Sequence, residues 1–127
     1  MYDDLIKRLT FNADGHVPAI IQDAASKKVL TLCYMNEAAL KKTIEAGYVY
    51  VYRRSLGKLM MKGETSGHTQ AVKALALDCE GKSLLIEIEQ KVAGCHKGYF
   101  SCYFEQYDPK KKFTVNDKKV FDPSKVY

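Results

Sequence analysis

Apolar residues in this chain come in short runs, and that spacing restricts its fold more than any other feature. Residues 17–21 and 29–35 are two such runs, rich in β-branched side chains and separated by a polar stretch at 22–28. Runs of this length bounded by polar residues suit strands. Residues 48–52 read Tyr-Val-Tyr-Val-Tyr, a strand buried on at least one side. A turn through Gly57 leads to a short strand at 59–61. Two further strands, at 71–77 and 84–89, flank a polar turn with Gly81 at its tip. In the second of them Leu84, Ile86 and Ile88 alternate with Leu85, Glu87 and Glu89, so one face is buried and the other half-exposed. Residues 99–107 are expected to form the last strand.

One segment has a clear helical pattern. Asn36 suits an N-cap, Glu37 the first turn and Gly47 the position just past the end, while Leu40 and Ile44 sit one turn apart on one face. A shorter helix can form at 3–10. The expected fold is α+β and strand-dominated: a curved or barrel-like mixed sheet capped by a short helix. No internal repeat or low-complexity segment interrupts it.

At 127 residues the chain reads as a single domain with a core of its own. No apolar run approaches the roughly 20 residues of a membrane span. The chain is charged from Asp3 onward with no apolar signal region, so a cytoplasmic protein is expected, with no membrane partner. The net charge is +5, and residues 106–127 hold six lysines against Asp108, Asp117 and Asp122. The excess therefore sits in a solvated terminus, and no nucleic-acid partner is expected. A modest positive field still favours a phosphorylated substrate.

Four cysteines without an export signal are thiols or metal ligands before they are disulfides. Cys33 lies in an apolar strand and reads as a small core residue. Cys79, Cys95 and Cys102 fall at strand ends or in loops, where three thiolates suit zinc and leave a fourth position for water. Spacing alone leaves zinc ligands and ordinary thiols both open, since no C-x-x-C pair is present. His96 and His68 are the imidazoles that a closed site would use. His96 is otherwise a general acid/base or simply exposed. Asp78 and Glu80 flank Cys79, and in extended chain both carboxylates share a face, either as a Mg²⁺ site or as a solvated turn. The loop of Lys62, Gly63, Glu64, Thr65, Ser66, Gly67 and His68 breaks every periodicity. Its glycines and hydroxyls suit a phosphate or purine edge, though a plain hairpin loop has the same composition. Arg54 can add a phosphate fork.

Three stretches together resemble the phosphoribosyl-AMP cyclohydrolase family of histidine biosynthesis. They are Gln22-Asp23 through Tyr34-Met-Asn-Glu-Ala-Ala-Leu40; the loop Lys62-Gly-Glu-Thr-Ser-Gly67 with Gln70; and Asp78-Cys79 followed by Cys95-His96 and Ser101-Cys102. The resemblance covers about residues 17–104. It implies a hydrolase that opens the purine ring of 1-(5-phosphoribosyl)-AMP at the N1–C6 bond, with His96 catalytic and Arg54 and residues 62–67 holding the substrate. It implies zinc on Cys79, Cys95 and Cys102 in an intertwined homodimer whose sites lie at the interface, with zinc ligands contributed across it. It implies Mg²⁺ on an Asp-Cys-Asp-x-Asp run, which here reads Asp78-Cys79-Glu80-Gly81-Lys82. Lys82 thus stands for a third carboxylate, and its ammonium can neutralise the other two. Met60 and Arg53 also depart from the family pattern. The cyclohydrolase domain is expected at 1–107, with a lysine-rich tail at 108–127. Two alternatives are a repurposed zinc-binding paralogue with an altered magnesium site and a small basic nucleic-acid-binding module.

Overall fold

A computed structural model describes residues 3–53, 55–64, 66–91 and 98–125. It is strand-dominated, as expected. After a short helix α1 (Asp3–Arg8), β1 (His16–Asp23) and β2 (Val29–Asn36) pair antiparallel. Helix α2 (Glu37–Ala46) follows, then the hairpin β3 (Tyr50–Arg53) and β4 (Lys58–Met61). β5 (Gln70–Leu77) and β6 (Leu84–Gln90) pair antiparallel, and β6 lies parallel to β1. The main sheet therefore runs β2-β1-β6-β5, mixed in direction. It is open: β2 and β5 are its outer strands, and the barrel-like closure does not form among the described residues. Residues 47–49 partly cover the β5 edge, through Val72 N–H to Gly47 O and Val49 N–H to Gln70 O.

Alternation decides which face is buried. Val17, Ala19 and Ile21 of β1 and Leu84, Ile86 and Ile88 of β6 are essentially fully buried, joined by Leu30 and Met35 of β2. Each large aliphatic side chain buried there contributes about 1.5–3 kcal/mol. Helix α2 covers this face with Ala39 and Leu40. Asn36 Oδ1 accepts from Ala39 N–H at its start, and Gly47, at φ 77°, closes its end with N–H to Thr43 O. The buried Thr43 hydroxyl donates to Ala39 O at 2.8 Å and accepts from Tyr50 N–H at 2.9 Å, tying α2 to β3. Cys33 is half-buried and packs against this core.

The C-terminal part differs from expectation. The strand expected at 99–107 is broken, because Ser101 turns its hydroxyl onto the backbone of β2 and Tyr103 N–H bonds back to Ser101 Oγ. Only β7 (Glu105–Asp108) is extended, and it pairs with β8 (Lys112–Val115) in a hairpin that spans position 107/108. Beyond it the chain packs back: Lys28 pairs with Asp117 at 2.9 Å, Val120 N–H donates to Gly98 O, and Phe121 meets His68 edge-on at 4.5 Å.

Candidate active site

Two ends of the main sheet carry the chemistry-bearing residues, and they carry different ones. At the C-terminal end of the parallel pair β1/β6, the loop from Lys62 leads directly into β5 at Gln70. This loop is folded on itself: Glu64 N–H donates to Met61 O, Gly67 N–H to Gly63 O, and His68 N–H to Ser66 Oγ. Gly63 has φ +84°, and a Cβ there would lie 2.2 Å from the His68 carbonyl oxygen, so only glycine fits. Lys62, Gly63 and Ser66 are half-buried, whereas Glu64 and Gly67 are exposed. Lys62 also lowers the thiol pKa of Cys33, against the larger upward push of burial. Thr65 and Arg54 lie outside the described residues.

His68, which closes the loop, is only 9% exposed, and its Nδ1 has no partner among the described residues. Burial, followed by the charge of Lys91, holds its imidazole below its usual value. Cys102 lies at this same end, against the edge of β2: its N–H donates to Leu30 O at 2.7 Å. Gln90 Nε2 donates to Phe100 O two residues earlier. Cys95 and His96 lie outside the described residues.

The opposite end holds the turn between β5 and β6, with Asp78, Cys79 and Glu80. Here the extended geometry expected for the paired carboxylates is corrected. Asp78 Oδ1 accepts from the backbone N–H groups of Glu80 and Lys82 at 3.1 and 2.9 Å, and Oδ2 accepts from the Ser83 hydroxyl at 2.8 Å. Those bonds, the Lys82 N–H foremost, hold the Asp78 carboxyl below its usual range and curl the chain into a turn. Glu80 instead reaches Lys82, with Oε2 3.2 Å from Nζ. Gly81 packs against α1, where a Cβ would lie 2.0 Å from Arg8 O. Cys79 is exposed and borders a cavity of about 470 Å³ that Asp4, Arg8 and Leu75 also line.

Cys79 therefore follows one outer strand and Cys102 lies against the other. Three strand spacings separate β5 from β2, about 14 Å across the sheet. Two sulfurs on one zinc, each at ~2.3 Å, lie within about 4 Å. One chain does not bring these two thiols together, and among the described residues no three His, Cys, Asp or Glu side chains converge. The thiol donor set has the chemistry for zinc, but Cys79 and Cys102 are not gathered within one chain. The sheet's outer face carries exposed apolar side chains: Ile20 lies opposite Leu32 and Pro18 opposite Tyr34, with Leu32 and Tyr34 43% and 54% exposed. Sequence reasoning missed Gln90; a carboxamide ending an otherwise alternating apolar strand was its only signal.

Residues 31–104 match the family model of phosphoribosyl-AMP cyclohydrolase. The phosphoribosyl-AMP cyclohydrolase of Pelotomaculum thermopropionicum is 44% identical over 119 residues, covering 94% of this chain and 92% of that protein. That of Desulforapulum autotrophicum is 46% identical over 121 residues, covering 94% and 97%. The histidine biosynthesis bifunctional protein of Thermoanaerobacter pseudethanolicus is 41% identical over 125 residues, which are 98% of this chain but 57% of that protein. The chain thus spans little more than half the length of such bifunctional relatives. A match through the loop, the cysteines and both sheet ends admits one conclusion: this chain belongs to the phosphoribosyl-AMP cyclohydrolase family.

Proposed function

We propose that this protein hydrolyses 1-(5-phosphoribosyl)-AMP in histidine biosynthesis, opening the purine ring at N1–C6, with zinc as cofactor. The observation that carries this reading is that every residue assigned to the chemistry lies within the matched segment 31–104. Zinc on Cys79, Cys95 and Cys102, when bound, supplies Lewis acidity that makes water nucleophilic near neutral pH. The oxygen of water bonds to C6, the N1–C6 bond breaks with its electron pair to N1, and the two protons of water end on N1 and on the exocyclic nitrogen, leaving C6 as a carboxamide. His96, adjacent to Cys95 in sequence, is the group to hand over the proton to N1. Lys62 and the loop at 63–67, whose own turns already engage the Glu64 and Gly67 N–H groups, hold the substrate phosphates with Arg54, fixing the ring for attack.

The active unit in this reading is a homodimer. Each site combines the loop and Cys102 of one copy with Cys79 of the other, and the exposed apolar face of β1 and β2 supports such pairing. The turn at 78–83 is poorly suited to Mg²⁺ as it stands, because Asp78 is engaged by its own turn and Glu80 by Lys82. Zinc alone is expected to support turnover. The test is purified, metal-quantified protein given 1-(5-phosphoribosyl)-AMP, followed by ultraviolet absorbance. Zinc-loaded protein that leaves the substrate unchanged would overturn the proposal.

A further inference from the structure

Two carboxamides, Gln70 buried and Gln90 half-buried, lie between the candidate substrate loop and the segment that carries Cys102. Gln70, two residues past His68, is fully buried, and its Nε2 donates to Gln90 Oε1 at 2.7 Å. Gln90 Nε2 in turn donates to the Phe100 carbonyl at 2.9 Å. The direction of this relay is fixed by chemistry. A backbone carbonyl only accepts, so Gln90 must face it with NH₂ and show its oxygen to Gln70. Gln70 must then give its own NH₂, which leaves its Oε1 as a buried acceptor with no partner among the described residues.

A stability device would not be built this way. Apolar side chains of similar size would fill the space without orphaning an acceptor, and buried polar groups left unpaired are unfavourable. What the relay does is geometric. On one side Gln70 is joined to the loop through Thr69, whose carbonyl accepts from Lys91 N–H at 3.0 Å, and through His68. On the other, Phe100 precedes Ser101, which is fully buried and donates from Oγ to Val29 O at 2.7 Å. Cys102 N–H then bonds to Leu30 O. The backbone on which Cys102 sits is pinned at three consecutive residues, and one of the pins leads back to the loop.

We propose that Gln70, Gln90 and Ser101 are positioning residues that hold Cys102 at a set distance from the loop at 62–68. Metal ligand and substrate anchor then stay in register. This rests on the functional reading above. Hydrolysis requires the reacting atoms to meet within about 3–3.5 Å, so slack between metal and anchor is felt in the rate. Partners that orient metal ligands likewise govern how tightly the metal is held.

The test uses the Gln70→Leu/Gln90→Leu double variant and, separately, Ser101→Ala. Zinc affinity is read by competition with a chromophoric chelator, alongside kcat, KM and Tm. Each variant is expected to bind zinc about tenfold or more weakly, with kcat/KM falling in step. The double variant is expected to melt within a few degrees of wild type, which a purely structural role does not combine with weakened zinc. Should the double variant fail to fold, Ser101→Ala decides. Zinc affinity within about twofold of wild type in a folded variant overturns the positioning role while wild-type activity stands. Wild-type protein that holds no zinc and turns over no substrate overturns the functional reading, and the relay's role with it.

Discussion

Cys79→Ala and Cys102→Ala proteins, made separately, should each lose more than the ~10–100-fold that removal of an outer-shell metal partner costs. Mixed together they should recover. The two thiols sit at opposite edges of an open sheet, about 14 Å apart by strand spacing alone, so in the proposed dimer each site draws one from each copy. Unfolding and refolding an equimolar mixture gives mixed dimers in half of the assemblies. In a mixed dimer one site receives both alanines and the other both cysteines. Half of the dimers with half of their sites intact amounts to about a quarter of wild-type activity in a two-fold symmetric pair. Ultraviolet-monitored turnover measures the recovery, and native mass spectrometry of differently tagged chains verifies the mixed species. Mixed dimers no more active than the separate variants would refute the shared site. So would Cys79→Ala protein that retains wild-type zinc and turnover.

The two loop glycines should behave differently although their φ angles are nearly equal, +84° at Gly63 and +81° at Gly67. Gly67→Ala meets open space and should cost about 1–2 kcal/mol for a left-handed alanine, with KM near wild type. Gly63→Ala must displace the His68 carbonyl and should raise KM about tenfold or more; melting curves and steady-state kinetics test the pair, and the reverse order would refute the loop's geometry. His68 should contribute a pH dependence of stability. Its folded imidazole resists protonation, so the unfolded chain binds the extra proton, and stability is present above the ordinary value of 6.5 and lost as pH falls through it. Tm measured from pH 7.5 to 5.5 should decline less in His68→Phe than in wild type, and parallel curves would refute the assignment.

How far these features could be read from the sequence varies with the range of the interaction behind them. Helix α2 was legible to both ends, because Asn36 and Gly47 act on their own helix within a few residues. Strands β1, β2, β5 and β6 were legible from alternation, with the expected burial of Leu84, Ile86 and Ile88. The segment at 99–107 was not, because what bends it is the Ser101 hydroxyl reaching Val29, a partner far off in sequence. Beside Cys79 the sequence left a paired-carboxylate site and a solvated turn both open, and the structure shows the turn, because Asp78 accepts from its own backbone N–H groups. Barrel closure was beyond reach, since periodicity reports which face is buried and not whether two edges meet. For the candidate site, the sequence offered residue types and their order. Their division between opposite ends of the sheet was not, as it follows from the strand order alone.

That strand order has a kinetic consequence. The seam at the middle of the sheet joins Ala19 to Leu84 and Asp23 to Ile88, so it cannot close until most of the chain exists. The flanking hairpins, β1 with β2 and β5 with β6, are local and can form early. Until they meet, Ile21 and Ile86 lack each other's half of the core. Folding should therefore be limited by one long-range docking step, and the same step first creates the two ends at which the site residues gather.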